Sequence, residues 1–156
     1  MKRNYQKTEY GGVYFCCYHI VWCTIFRRPI LTEAMRVRLK GVIRESCREQ
    51  GVRLLNEQIQ AERIILQVET TPKHTIHQVI SRIRRNCASI LRKEYPELLS
   101  RVPSVFTFSY FVSTEEKFPE TKVAEWMEDQ PRSAEAKAKR REREQGAWRK
   151  NETGMR

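Results

Sequence analysis

Apolar positions along this chain follow two rhythms, and their alternation outlines a fold. Residues 13–24 read VYFCCYHIVWCT, a β-favouring and nearly unbroken apolar run that predicts a central strand buried on both faces. Arg27-Arg28-Pro29 breaks it, and Thr32 then offers an N-cap with Glu33 in the first turn of a helix. Met35, Leu39, Val42, Ile43 and Cys47 recur at helical spacing as far as Gly51, a residue suited to a C-terminal cap. Strands are predicted over Arg53 to Gln60 and Arg63 to Thr70, joined by a short turn or run together as one bent strand across Gln60-Ala61-Glu62. Thr71-Pro72-Lys73 stops the second of them, and a helix follows from about Thr75 to Glu94 on the stripe Ile76, Val79, Ile80, Ile83, Cys87, Ile90 and Leu91. The aromatic-rich stretch Val105 to Ser113 predicts a last strand, and Glu120 to Gln130 a third helix ended by Pro131.

The order β-α-β-β-α-β-α predicts an α+β, ferredoxin-like sandwich. One antiparallel sheet is covered by the two long helices, a further helix is added at the C-terminus, and the other face of the sheet is left for a ligand or partner. Beyond Pro131 the composition shifts. Residues 132–156 hold nine basic and four acidic side chains and so contribute +5 of the chain's +11. The reading is therefore a ferredoxin-fold domain over 1–130 and a basic tail over 131–156, helical or disordered.

Charge narrows the partner. Thirty Lys and Arg stand against 19 acids, an excess that favours a polyanion, because every phosphate neutralised releases counterions. The non-apolar faces of the second helix concentrate Arg82, Arg84, Arg85, Arg92 and Lys93, a density that points to phosphate contact rather than to a merely solvated face. No apolar run nears the roughly 20 residues that span a bilayer, and the polar opening from Met1 to Gly12 is no signal peptide. The five cysteines lack CxxC spacing, so the expectation is a reduced, cytoplasmic protein with no membrane association, no zinc site and no cofactor.

Tyr18-His19-Ile20-Val21-Trp22-Cys23-Thr24, Arg27-Arg28-Pro29-Ile30-Leu31, Lys93-Glu94-Tyr95-Pro96-Glu97-Leu98 and Ser109-Tyr110-Phe111-Val112-Ser113 together carry a resemblance. The chain resembles, roughly from Thr8 to Gln130, the HUH-type single-tyrosine transposases: the TnpA enzymes of single-strand insertion sequences and the REP-associated tyrosine transposases. That resemblance implies a divalent ion held by two histidines on a strand with a further polar ligand, and a helix-borne tyrosine that attacks a phosphodiester of single-stranded DNA. Alternate strand residues share a face, so a His-x-His pair meets one ion. In the family's register those two positions carry Arg63 and Ile65, the attacking position carries Trp126, and only Gln130 stays where a polar ligand is implied. A guanidinium does not ligate a cation, isoleucine has no lone pair, and indole has no ionisable oxygen.

The reading that follows is a transposase-like protein without cutting chemistry, not an enzyme, that binds hairpin or single-stranded DNA. Arg63 is either an exposed edge residue or a fixed charge standing where the ion stood, and Trp126 packs with Val123 and Met127 or stacks on a base. His19 reads as a sheet residue, and His74 and His77 as exposed. Glu57, Gln67 and Glu69 share the strand face of Arg63 if the strand is unbroken, which leaves a rebuilt acidic metal site open. The other readings are an RNA binder, since Phe106, Phe108 and Tyr110 alternate on one face of the last strand although no RNP motif is present, and a subunit partnering an active transposase or nuclease. The resemblance also implies a homodimer formed at the sheet edge near the opening strand, where Val13 to Trp22 would be hazardous if left bare.

Overall fold

The computed structural model describes residues 4–153. A two-residue hairpin, β1 (Gln6–Lys7) with β2 (Val13–Tyr14), opens it and runs into β3 (Cys16–Cys23). The hairpin turns on Gly11, whose φ of 83° only glycine adopts freely, and Gly12 N–H donates to Thr8 Oγ1 at 2.9 Å. Strands of two residues carry too little periodicity to be read from sequence, so the apolar run begins as a hairpin arm and becomes a sheet strand only at Cys16.

After β3 come α1 (Glu33–Gln50), β4 (Arg53–Ile59), β5 (Arg63–Thr70), α2 (Ile76–Glu94), a short α3 (Glu97–Arg101), β6 (Phe111–Ser113), α4 (Glu120–Glu128) and α5 (Ala134–Thr153). The four-stranded sheet is ordered β4-β5-β3-β6 and antiparallel throughout, the ferredoxin-like arrangement. Thr32 caps α1 by accepting Met35 N–H at 3.3 Å, and Gly51 ends it at φ 68°. Strand β3 lies inside the sheet between β5 and β6, so it is not the bare edge from Val13 to Trp22 that the sequence suggested. Beside β6 it pairs only at His19, Ile20 and Val21.

Period-two alternation divides the sheet. Ile20 and Trp22 of β3 with Ile64, Leu66 and Val68 of β5 meet Leu39 and Ile43 of α1 and Val79, Ile80, Ile83, Cys87 and Leu91 of α2 in the main core. Leu39 and Ile80 are fully buried, and truncating either to alanine costs about 2–5 kcal/mol. On the opposite face Val21 and Cys23 pack with Val123 and Met127 of α4, joined by Ile65, Phe111, Phe118 and Trp126. That face is thus not wholly left open, as the sequence reading had it. Val123 and Met127, at i,i+4 on one side of α4, close the half nearest β6.

Two expectations fail because of contacts made elsewhere in the chain. The last strand spans only Phe111–Ser113, with an isolated bridge from Thr24 to Phe106, because Arg84 Nη1 takes the carbonyls of Thr107 (2.9 Å), Phe108 (2.7 Å) and Ser109 (3.4 Å) out of the ladder. Phe106, Phe108 and Tyr110 therefore do not share a face. Phe106 packs edge-on against Trp22, Phe108 is 83% exposed, and Tyr110 hydrogen-bonds His77 Nδ1 at 2.8 Å. Nor does Glu57 share the face of Arg63: it pairs opposite Leu66, past a register shift between Leu54 and Asn56, and its carboxylate meets Arg44 of α1.

The turn after β3 is strained. Phe26 and Arg27 both sit at φ 53°, the left-handed region, at about 1–2 kcal/mol each. Contacts hold them there. Arg27 Nη1 donates to Met127 O at 3.2 Å, and the guanidinium lies 3.4 Å from Glu128 and 3.8 Å from Glu62. The sequence marked Arg27 as part of a chain break and of a motif; it is the tie between that turn and the end of α4.

Candidate nucleic-acid interface

Beside α4, the uncovered half of the second face forms a cleft of about 510 Å³ between β4, β5 and the start of α4. Its floor follows from the register. His19, Gln67 and Asn56 form one cross-strand row, Val21, Ile65 and Gln58 the next, and Arg63 lies opposite Cys23 at the head of β5. Phe118 and Glu120 complete the wall. His19 is buried, 5.7 Å edge-on from the Phe118 ring, with Nε2 at 3.4 Å from Glu116 O. It is a sheet residue, as its setting in an apolar run suggested.

Arg63 is held on two sides. Its Nε donates to Gln60 Oε1 at 2.6 Å and its Nη1 to Met127 Sδ at 3.1 Å. Both partners are neutral, so its positive charge has no carboxylate beside it in those contacts. Ile65 is half-buried in the apolar cluster under α4. Trp126 packs in the same cluster, its ring 6.0 Å from Phe111 and tilted 54°. Gln130 is 4% exposed and bonded at both polar atoms: Oε1 accepts Ser109 Oγ–H at 2.6 Å and Nε2 donates to Trp126 O at 3.1 Å.

These residues do not fit a divalent ion. A guanidinium only donates, isoleucine offers nothing, and the Gln130 carbonyl is turned to a hydroxyl. Among the described residues no group of three or more His, Cys, Asp or Glu gathers elsewhere to replace them. His74 is bound into the turn before α2, accepting Thr71 N–H at Nδ1 (3.0 Å) while Nε2 faces Gln50 O at 2.7 Å. It is half-buried, not the exposed side chain expected. His77 is exposed.

The α2 cations divide by setting. Arg82, Arg85, Arg92 and Lys93 are exposed, Arg82 standing 3.5 Å from Glu49 of α1. Glu49 comes from another helix, so the spacing along α2 gave no sign of this pair. Glu94 itself is gripped by Arg38 at 3.0 Å, and that hydrogen bond holds its carboxyl below the usual range. Arg84 is half-buried with its guanidinium on the 107–109 carbonyls and 5.4 Å from the Tyr110 ring centroid; burial lowers its pKa and Tyr110 opposes that. Because α2 covers the face opposite Arg63, the sheet separates these cations from it. What the sequence placed in one binding set is two surfaces.

A third basic surface lies in the segment the sequence marked only as a basic tail. The N-terminal half of α5 brings Lys137, Arg140 and Arg141 to a cleft of about 210 Å³ beside Phe108. No apolar stripe marks that helix, and Phe108 read as an ordinary strand residue, so spacing carried no signal. No helix among the described residues is long and apolar enough to cross a membrane.

Comparisons with known proteins agree with this architecture. Residues 12–130 match the family described as Transposase IS200 like. The ISDra2 transposase TnpA of Deinococcus radiodurans is 21% identical over 127 residues, which covers 80% of this chain and 91% of that protein. A crystal structure of a candidate transposase from Deinococcus radiodurans R1 superposes with a TM-score of 0.75 at 23% identity, over 82% of this chain and all of that one. A REP-associated tyrosine transposase bound to a REP hairpin superposes at 0.51 with 9% identity, over 80% of this chain and 66% of that one. The chain belongs to the IS200-like transposase family.

Proposed function

We propose that this protein binds hairpin or single-stranded DNA and does not cut it. One observation carries the reading. The three positions at which the family resemblance implies a metal pair and a nucleophile hold Arg63, Ile65 and Trp126, and the last two are packed into the apolar cluster beneath α4. Phosphoryl transfer needs charge neutralisation and a positioned nucleophile, and this arrangement offers a fixed cation in place of the first and nothing for the second. The net charge of +11 supports retained binding, and the hairpin held by the REP-associated relative supports the kind of DNA. Arg63 at the mouth of the cleft takes one phosphate, while Arg82, Arg85, Arg92 and Lys93 supply a second surface.

The test is binding at fixed salt to a hairpin with single-stranded flanks, to a duplex of equal charge and to a structured RNA. Preference for the hairpin DNA is expected; equal affinity for hairpin and duplex would refute it. In that case the protein serves as a subunit beside an active transposase or nuclease. The RNA reading is weaker, because Phe106, Phe108 and Tyr110 build no common platform. A homodimer and a cytoplasmic location belong to the same proposal. The part of β3 beside β6 that β6 leaves unpaired, Cys16 to Tyr18, offers a partner strand a place to add. Light scattering at micromolar concentration reports the mass.

A further inference from the structure

We propose that Phe108, with Lys137 and Arg141, is a stacking site for one unpaired nucleobase and its phosphate, separate from the Arg63 cleft. The inference rests on the DNA-binding reading and adds a place where the strand is held. The observations concern how an exposed aromatic ring is fixed. Phe108 lies on a loop, 83% exposed, and a lone exposed phenylalanine by itself means little. This loop, however, is braced from beneath: Arg84 gives one guanidinium nitrogen to the carbonyls of three successive residues, Thr107, Phe108 and Ser109. A half-buried cation spent on one surface loop ties down the backbone that carries the ring, and a tied backbone lowers the ordering cost of binding.

The second observation is the charge set beside the ring. Lys137 Nζ stands 5.9 Å from the Phe108 centroid, and Arg140 and Arg141 line the same cleft. Glu144 is the acid of that lining, and it is paired with Arg140 at 2.8 Å. Among the described ion pairs neither Lys137 nor Arg141 has a carboxylate partner, so two cations remain for a phosphate. The third observation is how α5 is placed. It has no apolar stripe; Ser133 Oγ caps its first turn by accepting Ala136 N–H at 3.1 Å, and Arg140 Nη1 ties it to the end of α4 by donating to Asp129 O at 3.1 Å. Such a helix adds little to a core; its docked half presents cations to the ring.

Aromatic face plus nearby cations is the combination that holds single strands, since every base has a stacking face and every nucleotide a phosphate. At about 210 Å³ the cleft is smaller than the roughly 300–1,000 Å³ typical of pockets for whole organic ligands, which suits one base of a strand. The two clefts share no lining residue, so the sites are separable by mutation.

The experiment uses the full chain, a 5-iodouracil-bearing single-stranded oligonucleotide, a duplex of equal charge and free thymidine monophosphate. Illumination is expected to cross-link the single strand to Phe108, mapped by peptide mass. Phe108→Ala is expected to weaken single-strand binding about 5- to 100-fold, leaving duplex binding and the melting temperature unchanged, and Phe108→Trp to retain it. Lys137→Ala with Arg141→Ala is expected to lower the slope of log affinity against log salt by about 1.4, two cations at about 0.7 each. If the wild-type protein binds the strand and Phe108→Ala binds it equally well, this inference fails and the DNA-binding proposal stands. If the wild-type protein binds no nucleic acid, the DNA-binding proposal itself fails. Thymidine monophosphate binding as tightly as the oligonucleotide would make the site a free-nucleotide pocket and overturn the strand assignment. A change of solution mass in Phe108→Ala would make Phe108 a contact between copies and overturn it too.

Discussion

Arg63→Ala separates the two roles the structure allows for that side chain. In the folded protein the guanidinium makes two hydrogen bonds, one to the Gln60 amide and one to the Met127 sulfur. A neutral partner makes each worth about 1 kcal/mol or less, and sulfur is the weaker acceptor, so the stability loss is about 1–1.5 kcal/mol. For a chain of 156 residues that lowers Tm by about 3–5 °C, which leaves the protein folded at assay temperature. Binding is expected to suffer more. A charge-assisted bond from guanidinium to phosphate is worth about 1.5–3 kcal/mol, or about 10- to 150-fold in affinity, and releasing one phosphate lowers the single-strand salt slope by about 0.7. The assay is fluorescence anisotropy with a labelled hairpin-flanked single strand from 50 to 200 mM salt, paired with thermal melting of the same samples. Arg63→Lys is expected to keep the slope, because the charge persists, while losing part of the affinity with the planar fork. A drop in Tm with affinity and slope both unchanged would refute the reasoning and reduce Arg63 to a tie between β5 and α4.

Two further outcomes are expected. Arg82→Ala with Arg85→Ala and Arg92→Ala lowers the salt slope by about 0.7 for each phosphate no longer held and leaves Tm nearly unchanged, whereas Arg84→Ala costs about 2 kcal/mol through the released 107–109 carbonyls; a reversed pattern in paired binding and melting curves would contradict the division of α2. Burial pushes the thiols of Cys23 and Cys47 from the ordinary 9.0 up to about 11, and that of Cys87 up to about 12. Unfolded thiols give up protons near 9 while the folded ones keep theirs, so stability falls as pH rises from 9 towards 12, and a urea midpoint indifferent to pH across that window would count against this burial.

The sandwich was legible because its evidence is periodic. Thr32 and Gly51 bound α1, the apolar stripe of α2 packs into the main core at Ile76, Val79, Ile80, Ile83, Cys87 and Leu91, and Arg63 to Thr70 is the strand its alternation indicated. What escaped depends on partners distant in the chain. The shortening of the last strand follows from Arg84, 23 residues before the first carbonyl it captures. Glu57 turned to the helix side because of a register shift that no local pattern marks. At the candidate site the sequence named Arg63, Ile65, Trp126 and Gln130 from motif register, but not that Gln130 is tied to Ser109 or that Arg27 fastens the strained turn to α4. Phe108 was misread as a strand residue because exposure is a tertiary property.

The central claim is that binding has outlived cleavage, and one measurement tests it most directly. Wild-type protein is incubated with hairpin-bearing single-stranded DNA and Mg²⁺ or Mn²⁺, and intact mass is recorded beside a denaturing gel. The expected result is bound but uncut oligonucleotide and no covalent adduct. A phosphotyrosyl adduct on any tyrosine would contradict the account, and Tyr110, whose hydroxyl hydrogen-bonds His77 at 2.8 Å, is the first position at which to map it.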